Sequence, residues 1–423
     1  VAPAGGAETG MIITADLSIT HMSVPRFDLD LTEEQAAVRE EVGDITAGYD
    51  HEYWRDHSRQ GTYPQEFVDE LGDEGWLGAL IPEEHGGKGL GTEETVVMME
   101  EIAASGAGFG GAQTVHGGIY NSAPIVNYAS EAQREELLPK IASGEVSIQA
   151  FGLTEPGAGS DSPSMETFAD RDGDEYVVTG DKYWISRVDV SDYMLLVART
   201  TRKEAVEKRT RGISTFLVDL ADAEASSAFR KEAIEKGAST FVNSYHLKFD
   251  GLRIPAENLV GEEGDGFYQV LDGLNEERLV IAAELIGLGE LALAKGSDYA
   301  ADREVFGRPV GKNQGIQHPL AAAHAEVQAA RHLTYEAAAR SAADDLPREK
   351  LGARANAAKY LAAEAASSAA DAAVQAHGGK GIAVEYDVER YFREARLSRL
   401  VPIAQQLALN YLGERELGLP RSY

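Results

Sequence analysis

The chain contains no cysteine, and this absence excludes several kinds of site. Disulfide bonds, thiolate metal sites, cysteine nucleophiles and iron–sulfur clusters all require a sulfur atom that the sequence does not supply. Long hydrophobic runs are also absent, because no apolar stretch reaches the roughly 20 residues that cross a membrane. The sequence therefore predicts neither a membrane protein nor cysteine-based chemistry.

Basic residues are scarce relative to acidic ones. Lysine and arginine number 39 against 70 aspartates and glutamates, which gives a formal net charge of −31 at pH 7. Nucleic acids and anionic membranes would repel such a surface, so neither is expected as a partner. With 43% hydrophobic residues in 423, the composition is that of a soluble globular protein with two or three domains.

The first 22 residues lack the charged start and the apolar centre of a signal peptide. We interpret residues 1–26 as a flexible tail or a remnant of cloning, with Met22 as the native start. A cytoplasmic location is then the simplest prediction.

The patterns along the chain predict an α+β protein of three domains. Residues 27–145 carry helical signals, and residues 146–260 change to the alternation of strands, which predicts a β-barrel-like domain. Residues 261–423 are helical again and predict a four-helix bundle, because a long alanine-rich run there favours close helix packing.

More specific signals lie inside these domains. Thr32 and Gln35 form a capping-box pattern at a helix start. Apolar spacing predicts helices over 67–71 and 96–102, the alanine-rich helix covers 353–376, and strand-like runs cover 176–179, 194–198, 213–218 and 245–249.

Two local patterns mimic ligand sites. Residues 106–111 match the dinucleotide fingerprint G-x-G-x-x-G, but they follow a helical segment rather than a strand, so we predict a connection between helices. Asp170, Asp172 and Asp174 faintly resemble a calcium loop without its closing glutamate. A solvated hairpin turn is the better prediction, and no metal site is expected.

Residues 151–160 form a glycine-rich turn after an apolar run. The turn offers several backbone N–H groups and two hydroxyls, and residues 182–186 add an indole beside another hydroxyl. A planar, phosphate-bearing cofactor needs such a mixture of donors, aromatic wall and small residues. The alternative is a pair of ordinary strand–turn units with an incidental tryptophan.

One carboxylate interrupts an apolar stripe in the segment after Gly264. The stripe predicts one face of a long helix and consists of Val270, Leu274, Glu277, Ile281 and Leu285. Partial burial there would suit Glu277 to abstract a proton, whereas its neighbour Glu276 points elsewhere. A structural ion pair with Arg278 or another arginine is the alternative, and Glu284 lies near the same face.

Five stretches in this order resemble the acyl-CoA dehydrogenase family. They are residues 151–161, Lys-Tyr-Trp-Ile-Ser at 182–186, residues 303–310 with Gln314, Gln-Ala-His-Gly-Gly at 375–379, and residues 385–390. The resemblance covers nearly all of residues 27–423. It implies an FAD enzyme that oxidises an acyl thioester to the trans-2-enoyl thioester, by proton abstraction and hydride transfer to flavin N5.

The resemblance also implies roles for individual residues. Those that would bind FAD are Phe151, Leu153, Thr154, Gly159, Ser160, Trp184, Ile185, Ser186, Arg303, Phe306, Gln314, Gln375, Gly378 and Gly379. The members from Arg303 onward act across a subunit interface in the family, so a homotetramer built as a dimer of dimers is implied. The substrate would be an acyl-CoA or an acyl-carrier-protein thioester, contacted by Ser160, Asn275 and Arg278. Electrons would leave to an electron-transferring flavoprotein.

The chain departs from the family in one loop. Most members carry the catalytic glutamate there, but residues 401–404 read Val-Pro-Ile-Ala. The isovaleryl and long-chain types place it on a helix directly before an arginine, and Glu277 with Arg278 matches that alternative. Pro402 also lacks the backbone N–H that would help hold the thioester carbonyl.

Two other functions stay open at this stage. The altered loop leaves room for other flavin chemistry on the same fold, such as monooxygenation or desulfination. A non-catalytic protein that binds FAD or acyl-CoA is the second alternative.

Overall fold

The structure, a computed structural model, describes residues 25–27, 29–343 and 345–422. Most of the predicted tail, residues 1–24, lies outside this part of the chain. Arg26 is anchored, since its guanidinium donates to Glu290 at 2.8 Å and to Glu101 at 3.0 Å. The backbone N–H of Phe27 donates to Gln328. The chain is therefore tied to the body of the protein from Arg26 onward.

Helices make up the first part of the described chain, in the order α1 (Glu33–Thr46), α2 (His51–Gln60), α3 (Gln65–Asp73), α4 (Thr92–Ile102), α5 (Gly108–Tyr128) and α6 (Glu131–Ala142). The predicted capping box begins α1, because Thr32 and Gln35 each accept a backbone N–H from the other. The predicted helical segments 67–71 and 96–102 lie in α3 and α4, which confirms them.

The dinucleotide-like glycines join helices, as predicted. A π-helical turn, Ala103–Ala107, links α4 to α5. Gly110 packs against a buried carboxylate, and a Cβ atom there would lie 2.8 Å from Oε1 of Glu394. Arg390 binds that carboxylate and also donates to the carbonyl of Ala107. The glycines therefore make room for a buried ion pair.

A mixed sheet follows, formed by β1 (Ala150–Gly152), β2 (Phe168–Asp172), β3 (Glu175–Ser186), β4 (Tyr193–Arg199), β5 (Ile213–Asp219), β6 (Phe229–Ala233), β7 (Ser244–Pro255) and β8 (Leu259–Val260), with α7 (Leu220–Ala225) after β5. Its order is β6-β7-β3-β2-β4-β5-β8, and β1 runs parallel to β4. The predicted strands lie in β3, β4, β5 and β7, which confirms them. The aspartate-rich turn is the β2–β3 hairpin, and the described residues hold no cluster suited to a metal ion.

The last part is helical, with α8 (Gly266–Asp272), α9 (Leu274–Asp302), α10 (Gln314–Ala342), α11 (Arg348–His377), α12 (Val388–Ser398) and α13 (Gln405–Arg415), and a hairpin of β9 (Glu304–Val305) and β10 (Arg308–Pro309) after α9. The alanine-rich run lies in α11. It lets α9 approach closely, since a Cβ atom on Gly296 would lie 3.0 Å from Cα of Ala373. Of the helices that the structure describes, none has the length and apolarity to cross a bilayer.

The predicted long helix after Gly264 is wrong in one respect, because it breaks at Gly273 into α8 and α9. Glycine has low helix propensity, and this break ends the regular spacing. Val270 belongs to a buried cluster that includes Val197 of the sheet, whereas Ile281 and Leu285 belong to the helical core. The apolar stripe is therefore divided between two cores, and Glu277 lies in the first turn of α9.

Candidate active site

The glycine-rich turn after β1 presents an open face. Glu155 and Ala158 pair across the turn. A Cβ atom on Gly157 or Gly159 would meet no atom within 4 Å, and Ser160 is exposed. Phe151 and Leu153 pack half-buried below, so the turn offers small, open positions above an apolar floor.

A break in the β3–β7 register turns Trp184 outward. The pairing shifts between Lys182 and Ile185, and Trp184 adopts a left-handed φ of 63°. Bulges of this kind redirect a side chain. The indole is 50% exposed while Ile185 is buried, and the Ser186 hydroxyl lies 2.9 Å from that of Ser244.

A buried ion pair joins the turn to β3. Nζ of Lys182 lies 2.9 Å from Oε1 of Glu155 and 2.9 Å from the carbonyl oxygen of Leu153. The backbone N–H of Tyr183 donates to the carbonyl of Thr154 at 2.8 Å. The two segments that resemble a flavin site are thus held side by side.

Glu277 lies in a second group of polar residues, where α9 meets α5. Oε1 of Glu277 is 3.8 Å from Nε2 of His116, and the side chain is 19% exposed. The other ring nitrogen of His116, Nδ1, lies 2.6 Å from Oε1 of Glu284. Gln113 donates to the second oxygen of Glu284 at 2.6 Å. A partly exposed carboxylate is therefore backed by a buried histidine and a buried carboxylate.

Arg187 connects this group to the strand that carries Trp184. It directly follows Ser186 and is buried. Its guanidinium donates to the carbonyls of Gln113 and Gln149. Burial lowers the pKa of Arg187, although Glu284 and Glu277 oppose that shift. The glutamates of α9 therefore lie within electrostatic reach of the buried residue that directly follows β3.

Asn275 and Arg278, the predicted substrate-binding residues of this helix, lie beside Glu277 near the start of α9. Nη1 of Arg278 donates to Oδ1 of Asn275 at 3.0 Å, and the buried Nε has no hydrogen-bond partner in the described structure. Burial lowers the pKa of Arg278, with Glu277 acting in the opposite direction. Glu276 instead accepts the hydroxyl of Ser341. The two adjacent glutamates face different surroundings.

The loop that lacks the family's glutamate, residues 401–404, is held by a buried lysine. Nζ of Lys359 donates to the carbonyls of Ser398 and Ile403, at 2.8 and 2.9 Å. The Val401–Pro402 peptide bond is cis. Burial lowers the pKa of Lys359 to about 8, and the charge of Arg278 acts in the same direction. Lys359 thus holds the loop and interacts electrostatically with Arg278 of α9.

The remaining predicted cofactor residues form a third, exposed group. They lie on the hairpin after α9, at the start of α10 and at the end of α11, and are Arg303, Phe306, Gln314, Gln375, Gly378 and Gly379. Phe306 is fully exposed. Arg303 follows the last residue of α9, so it lies about 40 Å along that helix from Glu277. This group therefore lies at the opposite end of α9 from Glu277.

The sequence did not single out His116, Arg187 or Lys359. His116 contacts Glu284 from 168 positions away, so no local spacing could have found it. Lys359 sits in an alanine-rich helix, where an isolated cation among small residues was the available signal.

Three family models match the chain. They are the N-terminal domain of acyl-CoA dehydrogenase over residues 32–145, the middle domain over 150–252 and the C-terminal domain over 264–410.

Individual proteins agree with these matches. Acyl-CoA dehydrogenase FadE12 of Mycobacterium tuberculosis is 38% identical over 393 residues, which cover 93% of this chain and 98% of that protein. A solved glutaryl-coenzyme A dehydrogenase–glutaryl-CoA complex has a TM-score of 0.84 at 31% identity and covers 94% and 98% of the two chains. Butyryl-CoA dehydrogenase of Megasphaera elsdenii has a TM-score of 0.84 at 29% identity, covering 92% and 100%. The chain belongs to the acyl-CoA dehydrogenase family of oxidoreductases.

Proposed function

We propose that the protein oxidises an acyl-CoA thioester to the trans-2-enoyl thioester, with Glu277 as the base. The observation that carries this proposal is the position of Glu277, partly exposed at the start of α9 and backed by His116. The neighbouring loop, residues 401–404, offers no carboxylate. A base must be able to reach the proton that it abstracts, and a partly exposed carboxylate meets that need.

Acyl-CoA dehydrogenases use FAD, and the open turn after β1 fits a flavin. The positions at Gly157 and Gly159 leave space for a ligand, and the exposed indole of Trp184 supplies an aromatic wall. We propose that Thr154, Ser160 and Ser186 hold the cofactor there, together with Phe151, Leu153 and Ile185. FAD supplies the acceptor for the hydride.

The adenine and pyrophosphate end would be held by the third, exposed group. Arg303 lies about 40 Å along α9 from Glu277, and Phe306, Gln314 and the segment 375–379 belong to the same exposed group. We therefore propose that a second copy supplies them, in a homotetramer built as a dimer of dimers. The predicted domain boundaries, 27–145, 146–260 and 261–423, are part of the same proposal.

Substrate binding would use the start of α9. We propose that Asn275, Arg278 and Ser160 contact the thioester, because Arg278 keeps a buried N–H without a partner. Pro402 cannot donate to the thioester carbonyl, so Ile403 and Ala404 are the remaining backbone donors of that loop. The proposed electron acceptor is an electron-transferring flavoprotein.

The test is anaerobic bleaching of the purified flavoprotein with butyryl-, isovaleryl-, octanoyl-, palmitoyl- and glutaryl-CoA. Rapid loss of flavin absorbance with at least one of them, and formation of the matching enoyl-CoA, would support the proposal. The altered loop motivates one alternative, an oxygen-using flavin reaction. Fast oxidation of the chemically reduced enzyme by oxygen, without bleaching by any acyl-CoA, would favour that alternative. Tight acyl-CoA binding without flavin reduction would indicate a non-catalytic binding protein.

A further inference from the structure

The ring of His116 is fixed from several directions. Glu284 accepts from Nδ1 at 2.6 Å, and Gln113 holds the other oxygen of Glu284. The ring of Tyr120 stacks on the imidazole, with centroids 4.9 Å apart. Only Nε2 then faces the partly exposed Glu277, at 3.8 Å. This geometry aims one ring nitrogen at the proposed base.

We propose that His116 is a positioning residue for Glu277: Glu284 fixes the imidazolium so that its Nε2–H group keeps the Glu277 carboxylate ionised and oriented. This inference rests on the proposed function, in which Glu277 takes up the α proton. His116 does not touch the substrate in this account. It acts through the carboxylate of Glu277.

The charged surroundings of His116 support a protonated ring. Glu277 and Glu284 face it from α9 and Tyr120 stacks on it from α5, while Arg187, after β3, interacts with the same two glutamates. Burial lowers the pKa of His116, but the two carboxylates outweigh burial and raise it to about 9. The ring therefore carries a charge at neutral pH.

Loss of that charge has a predictable effect on the pH profile. A unit charge about 4 Å away changes a proton affinity by roughly one to three pH units, depending on the local dielectric constant. Without the imidazolium, the ionised form of Glu277 would lose the positive charge that stabilises it. The acidic limb of kcat/KM would then move to higher pH.

The experiment compares FAD-loaded His116→Gln with wild-type enzyme from pH 5 to 9. The substrate is whichever acyl-CoA of the panel above bleaches the wild-type flavin fastest. We expect the acidic limb of kcat/KM to rise by about one pH unit or more. His85→Gln is the matched control, because Nε2 of His85 lies 3.9 Å from Oε1 of Glu84 near the surface, and this variant should keep the wild-type limb.

Glu284→Gln tests the same positioning role of His116, because glutamine has nearly the same size and shape as glutamate. Without its buried counterion the imidazolium of His116 is destabilised, which favours a neutral ring whose Nε2 no longer donates to the Glu277 carboxylate. The acidic limb should again move to higher pH. This variant decides the question alone if His116→Gln does not fold.

An unmoved acidic limb in either folded, FAD-replete variant would overturn the positioning role. Glu277→Gln separates this failure from failure of the proposed function. If Glu277→Gln retains full activity, the proposed function fails. If Glu277→Gln is inactive and the limb does not move in the other variants, only the role of His116 fails.

Discussion

The ammonium group of Lys182 lies 2.9 Å from Oε1 of Glu155, and both side chains are buried beneath the proposed flavin turn. Burial lowers the pKa of Lys182 to about 8, although Glu155 opposes that shift. For Glu155, burial raises the pKa, but Lys182 and the hydrogen bonds outweigh it, so the net direction is downward. The pair is therefore charged at neutral pH. Removal of one partner would leave the charge of the other buried and unpaired.

Lys182→Met should lower the free energy of unfolding by about 3–5 kcal/mol, because Glu155 would remain as a buried, unpaired carboxylate. FAD affinity should fall as well, since the same ammonium fixes the carbonyl of Leu153. Denaturant unfolding and titration of the apoprotein with FAD measure the two effects. Lys248→Met is the control, because its 2.9 Å pair with Glu232 is exposed and should contribute at most about 1 kcal/mol. Equal effects of the two substitutions would contradict this account.

Lys359→Met should release the loop formed by residues 398–403. The buried carbonyl of Ser398 and the partly buried carbonyl of Ile403 would lose their donor, which costs about 1–3 kcal/mol of stability. Because the loop adjoins the proposed substrate site, KM for acyl-CoA should rise while FAD content stays at the wild-type level. Steady-state kinetics and the flavin-to-protein ratio test this.

Lys350→Met is the matched control for the loop, since Lys350 lies on the same helix and pairs with Glu416 at the surface. Its KM should equal that of the wild type. A loss of FAD in Lys359→Met without any change in KM would place the role of Lys359 elsewhere.

Glu290 should make folding stability fall as pH rises toward neutrality. Burial raises its pKa to about 7, the charge of Glu100 adds to that effect, and Arg26 and Arg331 oppose it. The folded protein then keeps a proton that the unfolded chain releases near pH 4.5, so stability declines between about pH 4.5 and 7.

Glu290→Gln should flatten this part of the stability profile, by up to about 3 kcal/mol across the window. Chemical unfolding at several pH values gives the comparison. A steeper decline in the variant than in the wild type would show that pairing with Arg26 outweighs burial.

Much of the fold followed from local patterns in the sequence. The capping box at Thr32, the helix connection at 106–111 and the β2–β3 hairpin depend on neighbouring residues, and the structure confirms them. The break at Gly273 was missed because the apolar spacing continues across it, although the two sides of the break pack into different cores.

The candidate site was harder to predict. Glu277 stood out because it interrupts an apolar pattern, but its neighbours come from distant parts of the chain. His116 lies on α5 and Lys359 on α11, and only the packing of these helices against α9 and the loop brings them to the site. Single-sequence spacing carries no information about such long-range contacts.

The central claim is that Glu277 removes the α proton, and Glu277→Gln tests it most directly. Its neighbour Glu276 faces Ser341 instead, so Glu276→Gln is the matched control. The measurement is the anaerobic rate of flavin bleaching by the best acyl-CoA of the panel, in FAD-loaded proteins. We predict a fall of at least about 100-fold for Glu277→Gln, as expected for loss of a general base, and a near wild-type rate for Glu276→Gln. A wild-type bleaching rate in Glu277→Gln would contradict the account.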